Sequence, residues 1–340
     1  MIIVRAPLRI SFVGGGTDLP DFYRVSPGRV ISTAIDRYVF VAINPTPFLN
    51  EKITVRYSIC EVVDHPNELK NDRVRAALLD LGILNNIDIT TFSHVSAKTG
   101  LGGSSSFSVA LIKALHSYLG RKIDERETAE AASRLEIELL GEPIGKQDQY
   151  ASAIGGLNII QFNPDETVDV DPVFLDYKHR LDFQNQLLLF FTGISRDASS
   201  VLTEQRKNIT NRLETLKIMA EEPLEFKERL LKKDFKGLGE ILHKGWLKKK
   251  TLASNVSNST IDEFYDGGMN EGAWGGKILG AGGGGCVLFL APSEKREAIR
   301  KKMKEVALKN NLTEFREIPV KFVQSGVEVL MNHHANGRIY

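Results

Sequence analysis

Lys98-Thr-Gly-Leu-Gly-Gly-Ser-Ser-Ser-Phe107 decides the reading of this chain, because of what stands on either side of it. Before it, Ile87 to Val95 is rich in β-formers. After it, Phe107, Leu111, Ala114, Leu115 and Tyr118 recur at helical spacing up to Leu119 and share one face. A helix beginning at such a loop leaves backbone N–H groups without intrahelical partners, and glycines let a ligand come close to them. With three hydroxyls added, the segment suits a chain of phosphates at the positive end of a helix dipole. A flexible linker is the alternative, but a linker would not run directly into a strongly patterned helix. A Walker A loop is excluded, since no lysine follows Gly103.

Two further glycine runs lie on either side of this one. Gly280-Ala-Gly-Gly-Gly-Gly285 satisfies G-x-G-x-x-G literally, yet it leads into Cys286-Val-Leu-Phe-Leu-Ala291, which reads as a strand. A dinucleotide fingerprint opens a helix, so a nicotinamide oxidoreductase is excluded. Four consecutive glycines before a strand predict backbone packed against a ligand or another loop, with a plain hairpin turn as the alternative. Gly14-Gly15-Gly16 follows a strand-like run from Arg9 to Val13. Arg9 and Asp18 flank this turn and could face one polar ligand or form a surface pair.

The 340 residues are enough for two ordinary domains. Lysine and arginine number 44 against 43 aspartates and glutamates, which gives no electrostatic reason to expect nucleic acid or an anionic membrane as partner. Cys60 and Cys286 stand far apart, without metal-ligand spacing, and read as packing residues of a protein from a reducing compartment. No run approaches the ~20 apolar residues that span a bilayer, and Met1 to Arg5 lacks the order of a signal peptide, so a cytoplasmic location is expected.

The first part of the chain mixes strand-like runs at Ile2 to Pro7, Arg9 to Val13, Val30 to Ile35, Tyr38 to Ile43 and Ile53 to Ile59 with a helix from Val74 to Leu81. Asp124 and Glu127 have capping-box spacing and open a helix that Gly141 and Pro143 end. Past Gly155 to Phe162, a Pro- and Asp-rich stretch reaching Pro172 predicts a connection between domains. Leu187 to Phe191 reads as a buried strand. Val201 to Leu252 reads as helical, interrupted at Pro223, Gly237, Gly239 and Gly245. Lys248-Lys249-Lys250 is taken as a solvated face without a role. Asn332 to Arg338 is taken as a frayed polar tail.

Ala6-Pro-Leu-Arg9, Gly100-Leu-Gly-Gly-Ser-Ser105 and Lys277-Ile-Leu-Gly-Ala-Gly-Gly-Gly-Gly285, separated by about 90 and 175 residues, resemble in order the three motifs of the GHMP kinases. The resemblance implies an α+β, two-domain fold. Residues 1–170 would form a ribosomal protein S5 domain 2-like N-terminal domain and residues 171–340 a ferredoxin-like C-terminal domain. It implies ATP and Mg²⁺ as cofactors, and a small sugar or sugar phosphate that receives the γ-phosphate. Ala6 to Asp18 looks most like the sugar 1-kinases that act on D-glycero-D-manno-heptose 7-phosphate. Galactokinases usually carry Gly-Glu-His where Gly15 and Gly16 stand, and relatives resembling fucose kinases remain open. A sensor that kept the fold and lost turnover is a further alternative, and a homodimer is left open.

Carried over residue by residue, the resemblance assigns Lys98, Gly100, Leu101, Gly102, Gly103, Ser104, Ser105 and Ser106 to the nucleotide phosphates. Ser104 would also meet Mg²⁺; Ser-Ser-Ser replaces the Ser-Ser-Ala-Ala of many members. Glu136 falls with Ala132, Leu139 and Leu140 on the apolar side of its helix, away from the stripe of Glu130, Arg134 and Glu138, where a charge needs a partner or a metal. The resemblance places the family's Mg²⁺-binding glutamate there. Gly145-Lys-Gln-Asp148-Gln-Tyr150 resembles the segment that carries the catalytic aspartate, with Arg9 holding developing negative charge; from spacing alone, Asp148 could equally be a helix N-cap. Asp18 and Thr17 would meet sugar hydroxyls, and Gly282, Gly283 and Gly284 would close over the cleft. Arg24, Arg29, Arg37 and Lys178 are candidates to meet a phosphate already on the substrate.

Overall fold

The structure, a computed structural model, describes residues 1–46, 51–96, 98–195 and 198–333. Its strands are β1 (Ile2–Val13), β2 (Gly28–Pro45), β3 (Ile53–Arg56), β4 (Cys60–Val63), β5 (Ile87–Ser93), β6 (Leu157–Phe162), β7 (Val168–Pro172), β8 (Leu187–Phe191), β9 (Gly275–Ile278), β10 (Cys286–Leu290), β11 (Arg316–Glu317) and β12 (Glu328–Asn332). The helices of the first part are α1 (Pro20–Tyr23), α2 (Asp72–Leu81), α3 (Gly103–Tyr118), α4 (Glu125–Arg134) and α5 (Gln147–Ile154), with a π-helical turn at Leu135–Leu139. The second part adds α6 (Tyr177–Asn185), α7 (Ala198–Asn208), α8 (Leu213–Leu231), α9 (Phe235–Lys250), α10 (Ser259–Asn270) and α11 (Arg296–Lys309).

An eight-stranded sheet runs β12-β1-β2-β5-β3-β4, with β6 and β7 continuing from the first half of β2. β2 is long enough to pair with β6 over Gly28–Thr33 and with β5 over Val39–Pro45. A four-stranded antiparallel sheet runs β11-β8-β10-β9. β1 and β2 are each continuous where the sequence suggests pairs of shorter strands. The register steps from Pro7↔Tyr38 to Leu8↔Ile35, leaving Asp36 and Arg37 as extra residues on β2. A proline sits well at such a bulge because it has no N–H to give the ladder. Its carbonyl is still used, accepting the Ser106 and Ser152 hydroxyls at 2.9 and 2.8 Å.

The stretch read as a connection ending at Pro172 instead forms β7, which spans residue 170 and pairs with β6 in the first sheet. β12 crosses back and pairs with β1 through Ile2↔Asn332 to Arg5↔Glu328. The two parts also share apolar packing. Leu8, Ile10 and Phe12 of β1 cluster with Leu187, Leu189 and Phe191 of β8 and with Leu238 and Leu242 of α9. A second cluster lies under α2 to α5, and a third under α10 and α11.

Pro223 and the three glycines do not interrupt the helices of the second part. Pro223 lies inside α8, whose Leu216, Met219, Ala220, Phe226 and Leu230 are all buried, so tertiary burial outweighs the single lost backbone bond. Gly239 lies within α9 because the helix packs directly on β9. A Cβ on Gly275 would stand 1.8 Å from the Gly239 carbonyl oxygen. Cys286 packs in the core as expected, but Cys60 is exposed on β4. Most of the polar tail lies outside the described residues; among those described, His333 N–H donates to the Met1 carbonyl.

Candidate active site

The loop before α3 forms without a side-chain cap. Gly102 occupies the N-cap position at φ 77°, no side chain bonds there, and Ser104 is exposed on the first turn. The expected open helix start is therefore present, and Ser104 does not cap it. Arg9 of β1 fixes the loop from beneath. Its backbone N–H donates to the Leu101 carbonyl at 3.0 Å and its Nη1 to the Gly100 carbonyl at 2.6 Å. The remaining edge of the guanidinium faces Asp148, with Nε to Oδ1 and Nη2 to Oδ2 both at 2.8 Å. Such a two-pronged fork sets orientation as well as charge. Asp148 is in the first turn of α5 and does not cap it, since Lys146 holds the N-cap position. Its side chain keeps 24 % of its surface exposed, toward a cavity of about 390 Å³ that the phosphate loop also lines.

Asp18 reaches the same cavity. It is buried, accepts the Gly16 N–H at 3.0 Å, and has room only because residue 145 is glycine: a Cβ there would be 2.1 Å from Asp18 Oδ2. Burial first, and then the neighbouring Asp148 carboxylate, push Asp18 up from the ordinary carboxylate range. Thr17 does not face the cavity. Its hydroxyl is buried between the Gly14 and Arg29 carbonyls at 2.8 and 2.9 Å and accepts the Arg29 N–H at 3.0 Å. Thr17→Val is therefore expected to cost about 2–3 kcal/mol of unfolding free energy while leaving acceptor KM within about twofold. Denaturant titration with steady-state kinetics checks this, and a tenfold rise in KM at unchanged stability would return Thr17 to the substrate.

The third glycine run joins β9 to β10, as a hairpin connection would, and it also seats against the phosphate loop. A Cβ on Gly100, at φ 78°, would fall 2.6 Å from the Leu279 carbonyl oxygen, and one on Gly280 would fall 2.8 Å from the Gly100 Cα. Cys286 N–H donates to the Thr99 carbonyl at 2.9 Å. Gly282 and Gly284 line the cavity; Gly283 turns inward, its N–H on the Val256 carbonyl at 2.7 Å. Of the phosphate-loop residues, Lys98, Gly100, Gly102, Gly103, Ser104 and Ser105 line it, whereas Leu101 and Ser106 are buried beneath.

Glu136 is completely buried in the π-helical turn, behind the second turn of α3. The Ser108 hydroxyl donates to its Oε1 at 2.9 Å, Gln149 Nε2 to its Oε2 at 2.5 Å, and Arg73 Nε to Oε1 at 3.3 Å. It does not line the cavity; Arg73 does, with its other end on Glu142 at 2.8 Å. The Gln149 Oε1 oxygen beside it is buried without a donor. A carboxylate next to an orphaned acceptor fits a place for a cation, and Arg73 fills part of that need here. For magnesium, which takes few protein ligands besides phosphate oxygens, Ser104 on the cavity wall could supply one, whereas Glu136 would first have to give up its contact with Arg73. Among the described residues, no three His, Cys, Asp or Glu side chains cluster as a self-contained metal site.

Arg24, Arg29, Arg37 and Lys178 do not reach the cavity. Arg24 pairs with Glu166, Arg29 with Glu221 and Gln161, and Arg37 with Asp36, while Lys178 is exposed on α6. Lys249 does reach it, against the sequence-based expectation. The three lysines separate by about 100° each around α9: Lys248 pairs with Glu222, Lys250 with Asp262, and Lys249 turns inward to donate to the Gly280 carbonyl. The signal was present, since Leu238, Leu242, Gly245 and Lys249 fall on one helical face of buried residues. Arg73 carried no comparable signal.

The chain is similar to known proteins. The GHMP kinases N terminal domain family matches residues 71–156 and the GHMP kinases C terminal family residues 226–308. The D-glycero-alpha-D-manno-heptose 7-phosphate kinase of Campylobacter jejuni is 31% identical over 329 residues, covering 89% of this chain and 94% of the relative. A galactokinase of Thermococcus kodakarensis is 26% identical, covering 90% and 94%. Among solved structures, a D-glycero-D-manno-heptose 1-phosphate kinase from Bacteroides thetaiotaomicron superposes with a TM-score of 0.77 at 24% identity over the whole of both chains. Galactokinase from Lactococcus lactis, complexed with galactose, gives 0.74 at 17% identity, covering 97% of this chain and 95% of its own. At such identities the structural likeness speaks to the fold. No helix among the described residues is long and apolar enough to cross a membrane.

Proposed function

Since the chain belongs to the GHMP kinase family, we propose that it transfers the γ-phosphoryl group of ATP to the anomeric hydroxyl of D-glycero-D-manno-heptose 7-phosphate. The chain is an ATP-dependent sugar kinase; the heptose acceptor is inferred from the relative named above. The observation that carries the reading is the Arg9 fork, which ties the Asp148 carboxylate to the loop suited to the triphosphate.

Phosphoryl transfer asks mainly for positioning and charge compensation. The uncapped N–H groups at Gly103 to Ser105 would hold phosphate oxygens. Asp18 would accept hydrogen bonds from acceptor hydroxyls, and Asp148 would orient the one that attacks. As the acceptor oxygen bonds to the γ-phosphorus, the bond from that phosphorus to the bridging oxygen breaks, ADP leaves, and the hydroxyl proton passes to Asp148. Arg9 holds the carboxylate in line for that proton. Ser104 and Glu136 are the residues that would hold magnesium, which when bound neutralises charge on the phosphates; Glu136 would then exchange its 3.3 Å contact with Arg73.

Coupled ADP release with heptose, heptose 7-phosphate, fucose and galactose tests this. Heptose 7-phosphate is expected to give a kcat/KM at least about tenfold above the others. A tenfold preference for fucose or galactose would overturn the acceptor. Thermal stabilisation by sugars without ADP from any of them would point instead to a sensor.

A further inference from the structure

Lys249 is a charged group in the cleft that the reaction as described does not use. It comes from the last turn of α9, is 6 % exposed, and lines the cavity together with Arg9, Asp18 and Asp148. An ammonium has three donors. One of them goes to the carbonyl of Gly280. That carbonyl belongs to the loop whose backbone lies against Gly100, and the Gly100 carbonyl takes Arg9 Nη1. Lys249 and Arg9 thus each hold one of the two glycine loops where these meet, one cation rooted in each part of the chain.

Burying an ammonium is costly unless something compensates it. Asp18 and Asp148 supply part of the compensation through their fields, and the remaining donors face a cavity suited to anions. On this geometry, and resting on the kinase reading above, we infer that Lys249 is a second cation of the transfer site, donating to an oxygen of the γ-phosphoryl group of bound ATP. Arg9 is held on the acceptor side by Asp148. Lys249, on α9, holds the Gly280 loop that would close over the nucleotide. The pair would therefore bracket the group in transit, and the protein would meet the γ-phosphate, but not the α- or β-phosphates, with this lysine.

Titration supports the same assignment. Burial, reinforced by the Arg9 charge and opposed by Asp18 and Asp148, brings the Lys249 ammonium down to about 8. The other charges near it are Lys277, buried on β9, and Glu222 on α8, which is engaged by Lys248. The lysine is charged below that value and loses its proton as pH rises through it. A contact made only by the charged form should therefore fade over the same interval.

Calorimetric titration of the full chain with ATP and with ADP, both with magnesium, tests this without needing an acceptor. Lys249→Met has similar volume and removes the charge. It is expected to raise the ATP dissociation constant about tenfold and to change that of ADP by less than about twofold. Lys249→Arg, charged at every pH used, is expected to keep the preference for ATP and to remove its decline above pH 8 relative to ADP. Equal weakening of both nucleotides, no change in either, or an alkaline decline that persists in Lys249→Arg would overturn the inference. A wild type that prefers ATP in this way yet releases no ADP with any sugar would count against the acceptor reading alone.

Discussion

Asp148→Asn is expected to lower kcat by about 10²- to 10⁴-fold, the range over which a positioned proton acceptor contributes, while ATP binds within about threefold of the wild type. The substitution keeps the shape of the side chain and one oxygen for the Arg9 fork. It removes the negative charge and the second acceptor, so one of the two 2.8 Å contacts is lost. Arg9 retains its 2.6 Å bond to the Gly100 carbonyl, which should keep the phosphate loop in place. Single-turnover kinetics and calorimetry on the same preparation separate the two effects. Parallel loss of turnover and ATP affinity would mean that the carboxylate mainly braces Arg9 and the loop.

Gly100→Val should act on the opposite half of the site. The position has a left-handed φ of 78°, which a β-branched residue adopts only under strain, and its Cβ would lie 2.6 Å from the Leu279 carbonyl oxygen and 2.9 Å from the Leu279 carbonyl carbon. Both contacts are to backbone, so no side chain can swing away. The phosphate loop must leave its seat on the third glycine loop, taking the N–H groups at Gly103 to Ser105 with it. Loss of two or more hydrogen bonds to charged oxygens, about 1.5–3 kcal/mol each, predicts an ATP dissociation constant raised more than about 10²-fold. An ATP affinity left intact would show that the nucleotide does not depend on this seat.

The strand, loop and helix around residues 98–107 were legible because each carries a local signal: β-formers, then glycines, then helical spacing. The burial of Glu136 was legible for the same reason, from its neighbours on one helical face. What the sequence hid were decisions made by tertiary contact. Thr17 adjoins Asp18 in the chain, and nothing local says that its hydroxyl is consumed by Gly14 and Arg29 while Asp18 meets the cavity. Pro223 and Gly239 read as breaks until α8 and α9 are seen packed on their inner faces. The lysine triplet was misread as one patch, although a helix sends three successive side chains in three directions. The pairing of β12 with β1 joins residues more than 320 positions apart, and pattern alone gives no warning of that.

That last pairing also bears on how the protein is made. β1 carries Arg9, yet one edge of β1 stays unpaired until residues 328–332 have been synthesised. Until then the nascent chain exposes a bare strand edge along Ile2 to Arg5, open to pairing with other chains. The edge of the strand that carries Arg9 is therefore completed only after all three glycine loops have been made.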